Sequence, residues 1–169
     1  MPTRRVILGV HSNLDGTASS PSYRDFNDVA AQFTAGHAWI SVAESGVLTR
    51  YGVWPDNHPN VKDNGSASDI RKNMEPISGK ANRYYKLSPW QTQKLLNLLA
   101  KNTTWAETNN CSSWAAKVIH EVTGQDIDAD DWLGFETPRE IGRSINILEK
   151  KSPTSRAKPK ELKGSVSWF

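Results

Sequence analysis

GHAWISVAESGVLTRYGVWPD, residues 36–56, decides the fold. Ala38, Ile40 and Val42 alternate with His37, Trp39 and Ser41, so the first half reads as a strand with two different faces. Ser45-Gly46 supplies a turn, and the β-rich run Val47–Trp54 returns, which makes residues 37–54 a hairpin. Pro55 ends it. Gly36, just before the strand, permits close approach of another piece of backbone.

Upstream, Val6–Val10 within MPTRRVILGVHS reads as a first strand. This apolar stretch is shorter than the roughly 7–15 residues of a signal-peptide core. The expected site of synthesis is therefore a reducing cytosol, with export left to a specialised machine. Residues 11–22 read as a loop, and Tyr23–Phe33 carries a short helical period. Downstream, residues 55–80 read as a long surface excursion rich in Pro, Asn, Gly, Ser and Asp, followed by a strand at Asn82–Leu87. A helix opens at Ser88-Pro89, where Gln91 completes a capping box. A second starts at Asn110-Cys111 and runs to Val122, with Thr123-Gly124 as its stop. A third opens at Thr137-Pro138. Strands and helices come in blocks, which predicts an α+β fold.

The chain has 169 residues, one domain's worth. No apolar run approaches the roughly 20 residues that span a bilayer. The single cysteine excludes an intrachain disulfide framework and multi-Cys metal sites. The formal charge is +3, but residues 150–163 alone carry +5 and the remainder −2. The basic character thus belongs to a Pro-, Ser- and Lys-rich tail, residues 150–169, that reads as flexible, behind a domain over residues 1–149. Aromatic interleaving in that tail is absent until Trp168-Phe169, so nucleic acid is not an expected partner. The acidic run Asp126, Asp128, Asp130 and Asp131 lacks the glycine and glutamate of an EF-hand and reads as a solvated loop.

Taken alone, a single cysteine reads as a small buried hydrophobe. Cys111, however, opens a helix, where free N–H groups and the positive dipole end favour a thiolate. It shares the inward stripe with Ala115, Val118 and Val122. A thiolate nucleophile needs a base, usually histidine. His120 lies half a turn round the same helix and faces away; His58, in PDNHP, reads as a surface residue. His11, at the end of the first strand, is a second candidate. His37, opening a patterned strand after a glycine, is the best placed to meet a helix-start cysteine.

GHAWISV with a return strand ending YGVWP, followed by NNCSSWA opening a helix, resembles the NlpC/P60-type papain-like cysteine hydrolases. More narrowly it resembles the circularly permuted branch, in which the histidine strand precedes the cysteine helix. Within that branch it is similar to the peptidoglycan amidase toxins of bacterial type VI secretion. The matching residues are 36–56 and 109–122.

The resemblance implies an antiparallel sheet packed against the cysteine helix. It also implies an amidase or endopeptidase that cleaves peptidoglycan stem peptides in a target cell's periplasm. His37 would deprotonate Cys111, an acyl-enzyme would form, and the Cys111 amide would help bind the oxyanion, with no metal or cofactor. A cognate immunity protein and a secretion machinery are the partners implied.

The family usually has a third polar residue that orients the histidine. The two-residue turn places His37 opposite Trp54, and Asp56 follows with the same facing, so Asp56 is the expected third residue, with Asn57 and His58 as rivals. Thr49, twelve residues after the histidine, reads as structural. Trp39 and Trp54 flank the expected site and would line a substrate groove, whereas Trp114 belongs to a helix core face. Two other readings stay open: a Cys–His hydrolase with a protein or lipid-ester substrate, and a non-catalytic binding module with a structural cysteine.

Overall fold

The computed structural model describes residues 4–15, 36–106, 109–127 and 137–163. The expected helix at Tyr23–Phe33 and most of the acidic run lie outside them. Five strands form one sheet: β1 (Val6–Ser12), β2 (Ala38–Glu44), β3 (Val47–Val53), β4 (Ile70–Lys72) and β5 (Ala81–Leu87). Their order is β4-β3-β2-β1-β5, and every pairing is antiparallel. Among the described residues three helices follow: α1 (Pro89–Ala100), α2 (Cys111–Thr123) and α3 (Pro138–Lys151). The fold is α+β. No helix among the described residues is long and apolar enough to cross a membrane.

The hairpin forms where the alternation places it, with Ile40 facing Tyr51 and Glu44 facing Val47. Ser45 (φ 52°) and Gly46 (φ 80°) make its turn, both in the left-handed region that matches strand twist. All three helices start at the caps legible in the sequence. Ser88 and Gln91 exchange the two bonds of a capping box, Asn110 accepts from the Ser112 and Ser113 N–H groups, and Thr137 accepts from Glu140. Gly124, at φ 71°, stops α2.

Register gives the two faces of the sheet different chemistry. Val6, Leu8 and Val10, Ala38 and Ile40, Val53, and Tyr85 and Leu87 meet the helices in the apolar core, with Trp114, Ala115, Val118, Ile119 and Val122 from α2. The opposite face carries His11, Trp39, Ser41, Gly9, Gly52 and Asn82, a layer of aromatic and polar groups.

Two segments differ from the sequence reading. The excursion at 55–80 contains β4, which pairs with β3 through Tyr51–Lys72 and Val53–Ile70. The basic tail, expected to be flexible, meets the edge of β5 at Thr154, Lys160 and Glu161. Lys160 donates its N–H to the Tyr84 carbonyl (2.8 Å) and accepts from the Lys86 N–H (3.0 Å). Thr154 Oγ1 accepts from the Tyr84 N–H at 3.0 Å. Buried Arg83 donates to both Glu149 (2.7 Å) and the Ser152 carbonyl (2.9 Å). Composition signalled solvation; the open edge of β5 and a buried guanidinium supply the order instead.

Candidate active site

Backbone pairing sets His37. Its carbonyl accepts from the Asn13 N–H (3.1 Å), continuing the β1–β2 ladder by one residue. Its own N–H donates to Asn13 Oδ1 (2.7 Å). The imidazole then lies over Gly52 of β3: a Cβ there would stand 2.8 Å from His37 Nε2 and closer still to Glu75 Oε1. Gly52 is therefore the close-approach glycine of the site.

Glu75 takes the place expected of Asp56. Its Oε1 accepts from His37 Nε2 at 2.9 Å and from Trp54 Nε1 at 2.8 Å. Asp56 lies elsewhere, 2.5 Å from Arg71 Nη2 and accepting from the Asn64 N–H. Pro55 breaks β3 before Asp56 can turn back, so the strand-parity argument fails at that point. Glu75 arrives by a longer route. β4 returns along β3, Asn73 turns in the left-handed region (φ 57°), and Arg50 clamps both Asn73 and the Glu75 carbonyl. The sequence held one signal for it, the glycine at 52 inside an otherwise β-rich strand.

Cys111 is brought beside His37 as expected, near enough that each group strongly shifts the other's titration. Because Nε2 faces Glu75, Nδ1 is the ring nitrogen left for the sulfur. Burial pushes the thiol up, but the His37 charge and hydrogen bond, the Ala38 N–H and the Ser112 side chain outweigh it, and the thiol lies below its ordinary value. His37 answers in the opposite sense. Burial lowers it, yet the charge and hydrogen bond of Cys111, joined by those of Glu75, raise it from 6.5 to about 9. The two shifts are coupled and run in the direction that favours a thiolate–imidazolium pair beside a carboxylate. Cys111 is 7% exposed.

The tryptophans divide. Trp54 packs on the imidazole with ring centres 4.0 Å apart, and His58 meets its edge at 4.8 Å. Trp39, expected in a substrate groove, is 1% exposed and lies under the site, stacked on His37 (5.8 Å) and on His11 (5.4 Å). It supports the histidine and has no surface left for a ligand.

His11 does not reach Cys111. It leans over Gly9 so that Nε2 meets Ser41 Oγ and Nδ1 meets Asn82 Oδ1, each at 2.7 Å. Asn82 Oδ1 also accepts from the Gly79 N–H, so Nδ1 must carry the proton and Nε2 accepts from the Ser41 hydroxyl. Burial drives this histidine down to about 4 and keeps it neutral. His120 is exposed and pairs with Asp126. Among the described residues, no three His, Cys, Asp or Glu side chains converge as a metal site requires. Comparisons with models of protein families, with curated proteins and with solved structures find no match to this chain.

Proposed function

We propose that the protein is a cysteine hydrolase that cleaves an amide bond of peptidoglycan stem peptides. The observation that carries the chemistry is a single imidazole hydrogen-bonded to the buried Glu75 carboxylate and lying beside Cys111 at the start of α2. In this reading the Cys111 thiolate attacks the amide carbonyl carbon, forming a C–S bond and an oxyanion. The Cys111 N–H receives the oxyanion, since Asn110 already occupies the Ser112 and Ser113 N–H groups. The C–N bond then breaks as His37 gives its proton to the leaving amine. Water adds to the thioester, its proton passes to His37, and the departing thiolate restores the starting pair. Glu75 keeps the imidazole in the orientation and charge state that both transfers need.

The substrate class rests on the likeness of GHAWISV and NNCSSWA to the permuted NlpC/P60 hydrolases, and with it come periplasmic action, export by a dedicated machine and a cognate inhibitor. Purified peptidoglycan incubated with the protein should yield fragments with new amine and carboxyl ends by mass spectrometry. Cys111→Ala and His37→Ala should yield none. Undiminished cleavage by either variant overturns the mechanism. Intact peptidoglycan, with a thiol that reacts only after unfolding, favours the binding module.

A further inference from the structure

We propose a second binding site, a groove between α1 and the C-terminal half of α2 that takes an oligosaccharide. Pro89 starts α1, and the next residue, Trp90, turns away from the apolar stripe that Leu95, Leu98 and Leu99 press on the core. Its indole is 70% exposed, the largest exposure of any large hydrophobic side chain among the described residues, whereas Trp39 and Trp114 are buried. Trp90 lines a groove of about 630 Å³ together with the apolar Leu98 and Val122 and the polar Lys94, Asn97 and Lys101. That volume falls within the roughly 300–1,000 Å³ of small-ligand sites.

The lining selects among ligand classes. A pyranose presents an apolar C–H face and a rim of hydroxyls, which match an exposed indole beside amide and ammonium donors. Asn97 Oδ1 is taken by Gln93, which leaves its amide N–H groups to donate. Lys94 also donates to the Glu121 carbonyl near the end of α2. An extended peptide would want an open strand edge, and this groove lies between two helices. A nucleic acid would want a run of cations on one face, whereas Glu121 shares the lining with the lysines.

The choice of sugar rests on the proposed function. If the substrate is peptidoglycan, the ligand is its N-acetylated amino-sugar strand. It would be held at the far end of α2, roughly 20 Å from Cys111 by helix rise, while a stem peptide occupies the thiol.

Calorimetric titration of the full chain with an N-acetylglucosamine hexamer, and with glycan strands stripped of peptide, tests the site. Saturable binding is expected, weakened about tenfold or more by Trp90→Ala and retained by Cys111→Ala. Because Trp90 is exposed, its variant should melt like the parent, which separates lost binding from lost folding; Lys101→Ala should weaken binding without altering the melt. No saturable binding of either probe, or unchanged binding by both groove variants, overturns the proposal. Sugar binding without peptide cleavage would sink the hydrolase reading alone; cleavage without sugar binding would sink the groove alone.

Discussion

Glu75, rather than Asp56, decides what His37 can do. A carboxylate on Nε2 fixes the ring so that Nδ1 meets the thiol, and stabilises the imidazolium that forms. Glu75→Gln keeps an oxygen for Nε2 but removes the charge, and should lower kcat/KM on a soluble stem peptide by about 100-fold, with Glu75→Ala lower still. Asp56→Asn, by contrast, should leave kcat/KM within about threefold, since its partners are Arg71 and the Asn64 N–H. The coupled pair also sets the pH response. With the thiol lowered, alkylation of Cys111 by iodoacetamide should stay fast below the ordinary thiol range and slow only as acid neutralises the pair. Turnover should fall as pH rises through about 9, where His37 loses the proton that the leaving amine needs. An alkylation profile like that of a free thiol would contradict the pair.

At the scale of elements, β3 matters through what it lacks. Gly52→Ala would drive a methyl group into Glu75 Oε1 and His37 Nε2, so activity should fall at least about 100-fold while circular dichroism still reports the native sheet. A fully active Gly52→Ala would show that the carboxylate can sit elsewhere. The hairpin and helices were legible because period-2 alternation and cap residues are local signals. Cys111 and His37 were legible for the same reason, since each opens an element that the sequence announces. Glu75 was not. Its position depends on β4 pairing back to β3, a left-handed turn at Asn73 and the grip of Arg50, none of which is encoded near residue 75 alone. Trp39 lies one layer below the expected groove, because alternation assigns a face but not what covers it.

Across the whole molecule, stability depends on two features that composition concealed. The first is His11, neutral in the fold. Its pKa falls from 6.5 to about 4 on folding, so the unfolded chain binds the extra proton between those values. The contribution of His11 to stability should therefore be full above pH 6.5 and decline by about 3 kcal/mol as pH falls toward 4. His11→Gln should flatten that part of the slope in urea titrations, and an unchanged slope would remove His11 as its cause. The second is the tail. Ending the chain after Lys151 strips the Lys160 bridge from β5 and the Ser152 carbonyl from Arg83. A loss of about 2 kcal/mol, or roughly 4–8 °C in Tm, is expected by calorimetry. An unaltered Tm would mean that the tail lies on the edge without supporting it.

The stack of His11, Trp39 and His37 has an optical consequence. Trp39 lies between two imidazoles whose titrations move in opposite directions, His11 lowered by burial and His37 raised beside Cys111 and Glu75. An imidazolium quenches indole emission far more strongly than a neutral imidazole. Trp39 emission should therefore report the protonation of the site from within, and its difference from a Trp39→Phe background should follow the proposed acylation of Cys111 without any added label.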